Sequence, residues 1–190
     1  EEIARAAGAN IGSFDSVPVF INSEKYWEKM GKLPLRRIES VFTADNAGQK
    51  VIDAIREFES KKDEHHRLGL PHHMGIMLHG EPGCGKSSLI HAVATETERS
   101  LFYLNLGSVE ADKQLTGLLS GTRDWSRCIL AIEDIDAAGV KVNRDAAETK
   151  KKKGEADKSP VSLSALLNVL DGILCPDGLV VIATTNHHDR

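Results

Sequence analysis

The chain has 190 residues, a length that suits one domain with a substantial core, and 41% hydrophobic with 27% charged residues is the balance of ordinary globular material. Its formal charge of −4 gives no general pull toward nucleic acid or acidic membranes. The longest apolar runs, 128–132 and 179–183, fall far short of the ~20 residues of a membrane helix, and no basic-then-apolar signal segment opens the chain.

The first residue is Glu1 rather than Met, which reads as a piece of something longer. Three cysteines, Cys84, Cys128 and Cys175, form no C-x-x-C pair, so neither a disulfide framework nor a zinc site is supported and a reducing compartment fits. The adjacent pairs His65-His66, His72-His73 and His187-His188 would chelate poorly, because neighbouring residues point to different faces, and they read as polar loop residues.

In chain order, residues 1–40 carry mixed signals (Gly8, Gly12, Pro18, Gly31, Pro34) and one alternating stretch at 17–21. They read as a strand-and-turn element, the tail of a preceding domain, with the main unit at 41–190. Between 46 and 62, Val51, Ile52, Ile55 and Phe58 form a helical stripe that Asp45 or Asn46 could cap. After Pro71 the pattern alternates short apolar runs with helices. A strand at 76–78 leads into a glycine-rich loop at 80–87 and a helix from Lys86 to about Thr97. A strand is predicted at 101–106, a short helix at 111–119 and a strand at 128–132. Leu163, Leu166, Leu167 and Leu170 mark a further helix started by Ser159-Pro160, and a last strand spans 179–183. This alternation predicts an α/β fold, a parallel sheet flanked by helices. Residues 140–159, with four consecutive lysines from Lys150, read as a solvated insertion, with contact to a partner as the alternative.

Gly80, Glu81, Pro82, Gly83, Cys84, Gly85, Lys86 and Ser87 match G-x-x-x-x-G-K-[ST] after a strand and at the start of a helix, and Ser88 extends the nucleotide-binding set. Glycines let backbone N–H groups face inward as a nest for phosphate oxygens, and the helix adds its positive end. Lys86 would reach the β- and γ-phosphates, and the Ser87 hydroxyl would ligate Mg²⁺. Cys84, inside the loop at a helix N-terminus, is either a reactive thiol or merely a small residue in a tight turn. The apolar run 128–132 ends in Glu133-Asp134, at the edge where open α/β sheets bind ligands. Glu133 is the candidate metal-side acid and Asp134 the candidate base for the attacking water. Asn186, after the last strand, could hold the γ-phosphate or the water.

With these motifs in this order the chain resembles a P-loop NTPase of the AAA type. The stretches 132–138, 162–172 and 183–187, and Tyr103-Leu104-Asn105-Leu106 after the loop helix, are similar to the AAA chaperones that move the Rieske iron–sulfur subunit across the mitochondrial inner membrane during complex III assembly. The Glu-then-Asp order departs from the usual Asp-Glu of AAA proteins and is similar to that subfamily. The resemblance covers about residues 36 to 190. It implies ATP and Mg²⁺ as ligands, a homo-oligomeric ring, a protein client, no nucleic acid, a matrix-facing inner-membrane location, and a membrane segment ahead of residue 1. It also implies that the arginine finger, the last sheet strand and the C-terminal lid lie beyond Arg190. Around 109–114, where many AAA translocases carry an aromatic pore residue, this chain has none, which favours a folded client. Two other readings compete. Asp136-Ala137-Ala138-Gly139 and Asn186-His187-His188-Asp189 match the D-x-x-G and N-x-x-D of GTPases, although His187 stands where a lysine is usual. The inverted acid pair also permits a nucleotide-gated assembly module with little hydrolysis.

Overall fold

The computed structural model describes residues 14–23, 25–109, 112–120, 124–135, 166, 170 and 175–186. Six strands form one sheet: β1 Ser16–Asn22, β2 Trp27–Pro34, β3 Met74–His79, β4 Ser100–Tyr103, β5 Cys128–Ile132 and β6 Val180–Thr185. Their spatial order is β2-β1-β4-β5-β6-β3. Every ladder is parallel except β1 with β2, an antiparallel hairpin with a bulge between Val19 and Phe20. The expected parallel sheet is therefore present with an antiparallel edge, and it runs across position 40, because β1 pairs with β4 through Val19 and Leu101.

The described helices of four residues or more are α1 Ala47–Ser60, α2 Lys62–Leu68, α3 Lys86–Glu96 and α4 Asp112–Leu119. Alternation along the strands sorts the core into two layers. Leu101, Ile129, Ala131, Val180 and Ile182 pack with Ile52 and Ile55 of α1 and Leu89, Ile90 and Val93 of α3. Phe102, Leu130, Ile132, Val181 and Ala183 pack with Leu115, Leu118 and Leu119 of α4 and with Leu166. Strand β5 is buried at all five positions, as a strand covered on both faces must be. On the α4 side Phe20 stacks on Phe102 with ring centres 4.4 Å apart, and Trp27 meets Phe102 edge-on at 5.1 Å.

Several local expectations differ from the structure. Helix α1 is not capped by Asp45 or Asn46, both of which take left-handed backbone angles; the Thr43 hydroxyl accepts from the Gly48 N–H instead, at 3.1 Å. Strand β4 stops at Tyr103, because Asn105 accepts from the Gly107 N–H and turns 106–108 into a short 3-10 helix. His65 and His66 lie in α2 rather than in a loop, and His72 is buried, stacked on Phe58 at 3.9 Å. The insertion at 140–159, Leu163, Leu167, Asp136, His187 and His188 lie outside the described residues.

Candidate functional site

The site is assembled at the carboxyl ends of β5, β6 and β3, with β6 lying between the other two in the sheet. Strand β3 delivers Gly80, whose N–H donates to the Thr185 carbonyl at 3.3 Å and so ties the start of the loop to the end of β6. The loop then turns through Gly83 at φ 80° and Gly85 at φ 95°, angles that favour glycine, and opens into α3 at Lys86. The orphan N–H groups of that first helical turn face the loop, which is how a nest for anions is built.

Pro82, Gly83, Gly85, Lys86, Ser87, Ser88, Glu133, Asp134, Thr184 and Asn186 line a cavity of about 330 Å³. Glu81 joins through its carbonyl, and Cys84, within the loop, is exposed, its sulfur 3.9 Å from Lys86 Nζ. The three separated stretches singled out in the sequence thus meet in one cavity.

Two hydrogen-bonded sets organise the polar groups. Lys86 Nζ donates to the Gly80 carbonyl at 2.7 Å, the Glu81 carbonyl at 3.1 Å and Asn186 Oδ1 at 2.8 Å, and Asn186 Nδ2 donates to Asp134 Oδ1 at 3.0 Å. Separately, the Ser87 hydroxyl donates to Glu133 Oε1 at 2.5 Å. A hydroxyl and a carboxylate oxygen side by side are hard donors of the type Mg²⁺ takes, so the residues present fit that ion beside a bound phosphate. Among the described residues no group of three or more His, Cys, Asp and Glu could hold a metal by itself.

Asp134 has a left-handed backbone, φ 48°, uncommon for a residue with a side chain. Thr184 was not singled out in the sequence, yet its hydroxyl accepts from the Asp134 N–H at 3.0 Å. A buried threonine at the end of an apolar strand carries no sequence signal of such a role. Burial, and then the nearby Glu133 carboxylate, push the Tyr103 phenol up to about 12, so it keeps its proton at neutral pH.

Residues 76–190 match the family described as "ATPase family associated with various cellular activities (AAA)". The chain is 38% identical over 162 residues to "Probable mitochondrial chaperone BCS1-A" of Dictyostelium discoideum, covering 84% of this chain and 38% of that protein. It is 35% identical over 166 residues to "Mitochondrial chaperone BCS1" of Homo sapiens, covering 86% of this chain and 38% of the human protein. An AAA-ATPase of Arabidopsis thaliana is 37% identical over 166 residues, covering 86% of this chain and 32% of the plant protein. The chain thus spans less than half the length of these relatives.

Proposed function

We propose, from the premise that this chain belongs to the AAA family of ATPases and to its BCS1 type, that it binds Mg·ATP at residues 80–88 and hydrolyses the γ-phosphate. The observation that carries the reading is Asn186, which bridges the ammonium of Lys86 and the carboxylate of Asp134 inside the cavity. Lys86 and the loop N–H groups bind the β- and γ-phosphates. Ser87 and Glu133 provide two oxygen ligands for Mg²⁺, which when bound neutralises charge on those phosphates. Asp134 takes or orients the proton of the attacking water, and Asn186 contacts that water or the γ-phosphate. Because phosphoryl transfer is mostly positioning and charge stabilisation, the rigid ends of β5 and β6 are where such groups belong.

For the whole protein the reading is a homo-oligomeric ring that uses ATP to move a protein client, with the Rieske iron–sulfur subunit in complex III assembly as the candidate. The supporting facts are the relatives named as mitochondrial chaperones. The same likeness supports a matrix-facing mitochondrial inner-membrane location. No helix among the described residues is long and apolar enough to cross a membrane. The charge of −4 argues against a nucleic-acid partner. Residues 1–40 close a preceding family-specific domain whose strands extend the ATPase sheet.

A second reading, a nucleotide-gated module with little hydrolysis, is favoured by one observation: the shorter acid stands in the base position, its carboxylate already accepting from Asn186. The GTPase alternative needs Asn186 to read a base, whereas here it is held on the phosphate side. The test is steady-state phosphate release by the full-length protein with ATP or GTP over a range of protein concentrations. ATP-selective release that rises more steeply than protein concentration supports the ring ATPase. Release that is negligible, or unchanged in Asp134→Asn, favours the gate.

A further inference from the structure

We propose that Thr184 is the positioning residue of the site, holding Asp134 in the left-handed turn that aims its carboxylate at Asn186; this rests on the ATPase reading above. Three consecutive residues at the end of β6 each hold a different part of the cavity. The Thr185 carbonyl accepts from the Gly80 N–H at 3.3 Å and fixes the start of the phosphate loop. Asn186 bridges Lys86 and Asp134. Thr184 holds the backbone of the acid itself: its hydroxyl accepts from the Asp134 N–H and its carbonyl from the Ile135 N–H, each at 3.0 Å.

Both bonds act at a turn. Asp134 follows the last residue of β5 by two positions, and a φ of 48° turns the chain out of the strand direction. Among residues with a Cβ, Asp is one that visits this angle, so the angle is available to Asp134 and the Thr184 bonds fix it there. Thr184 is 2% exposed and locked in the β3–β6 ladder opposite Leu78, so its hydroxyl is a fixed acceptor rather than a mobile one. Thr184 lines the cavity, and its hydroxyl is engaged by the Asp134 N–H, so its route to the chemistry runs through Asp134.

The experiment uses the full-length protein with Thr184→Val, which keeps the shape and the strand preference, and Thr184→Ser, which keeps the hydroxyl. Thr184→Val is expected to lower kcat by roughly 10–100-fold, since displacement of a catalytic group by about 1 Å costs on that order. Nucleotide affinity should stay within about twofold, because the loop and Lys86 are untouched, and Thr184→Ser should restore kcat to within about threefold. Thr184→Val combined with Asp134→Asn should turn over no more slowly than Asp134→Asn alone, since both remove one function. Amide hydrogen exchange reads the clamp directly: Thr184→Val should speed exchange of the Asp134 N–H by about tenfold or more and leave that of Ile135 protected. Unchanged kcat in Thr184→Val, a Ser variant as slow as the Val variant, or multiplying losses in the double variant would each overturn the proposal. If the unsubstituted protein shows no turnover, the ATPase reading falls, and the exchange rates decide the clamp alone: fast Asp134 exchange only in Thr184→Val keeps it, and equal rates in both proteins remove it.

Discussion

Lys86 and Asn186 stand 100 positions apart in the chain, and the ammonium of the first donates to the amide oxygen of the second over 2.8 Å. The other end of the same amide donates to Asp134, so a cation on one side and an anion on the other set which way the amide points. A phosphate group held by Lys86 is therefore linked to the acid by one rigid side chain. On the reading proposed above, a phosphate in the loop and the carboxylate of Asp134 share Asn186 as a neighbour.

Lys86→Ala should abolish nucleotide binding, because the ammonium and the loop N–H groups act on the same phosphates. Asp134→Asn should instead retain ATP and lose turnover, since the amide keeps the shape but takes no proton. Isothermal titration with ATP and phosphate release, run on both variants, separate the two roles; equal loss of binding in both would remove the role given to Asp134.

Exposed Cys84 sits 3.9 Å from the Lys86 ammonium, and a Cβ added at Gly80 would lie 2.8 Å from its sulfur. A group attached to that sulfur would sit against Lys86 and the start of the loop. Alkylation with a maleimide should inactivate the protein, and ATP should slow the labelling. Equal labelling rates with and without ATP, read by intact mass, would make Cys84 a small residue fitting a tight turn and nothing more.

Gly178 lies at φ 73° beside Ser126, whose Cβ and Cα would stand 2.5 and 2.8 Å from an added Cβ. Gly69, which ends α2 at φ 67°, has nothing within 4 Å of the same atom. Both alanine variants incur about 1–2 kcal/mol for the left-handed backbone. Only Gly178→Ala adds overpacking of about 1–3 kcal/mol. Urea unfolding should rank Gly178→Ala as clearly the less stable, and equal midpoints would contradict the crowding at Ser126.

Asp177 is half-exposed, and although burial pushes its carboxyl up, the hydrogen bond from His66 and the charges of His66, Lys62 and His72 outweigh that and hold it below the ordinary aspartate value. A depressed carboxyl contributes stability that is complete above its unfolded value of about 3.9 and is lost as pH falls through the folded value. The stability gap between the unsubstituted protein and Asp177→Asn should therefore narrow from pH 7 to pH 3. A gap of the same size at both pH values, by denaturant midpoints, would assign the effect to packing.

The residues whose local backbone is dictated by their own chemistry were legible in the sequence. The glycine-rich loop, the apolar run into Glu133 and Asp134, and the strand before Asn186 are of this kind, because strand ends and phosphate loops carry their geometry in a few adjacent positions. Elements that owe their form to distant partners were not. Strand β2 carries the polar sequence WEKMGKLP and is secured by Trp27, whose indole N–H donates to the Leu118 carbonyl at 2.8 Å, 91 positions away. Helix α2, KDEHHRL, has no buried residue and shows no apolar stripe to read. Arg99 looks like a surface cation in the sequence, yet it is 2% exposed and donates to Glu59 and to the carbonyls of Cys128 and Gly178. Such roles are set by which chain segments meet, and a single sequence without its contacts does not display them.

The sheet order has a consequence for how the site is completed during synthesis. Strand β3, which launches the phosphate loop, has β6 as its ladder partner, so roughly a hundred residues must leave the ribosome before that ladder closes. At about 5–20 residues per second the loop waits on the order of 5–20 s without its strand neighbour and without Asn186. Pairing of such high sequence separation forms late, because the closure entropy must be met before any contact repays it. The nascent chain thus passes through an interval in which the glycine-rich loop has been made but its strand neighbour and Asn186 have not.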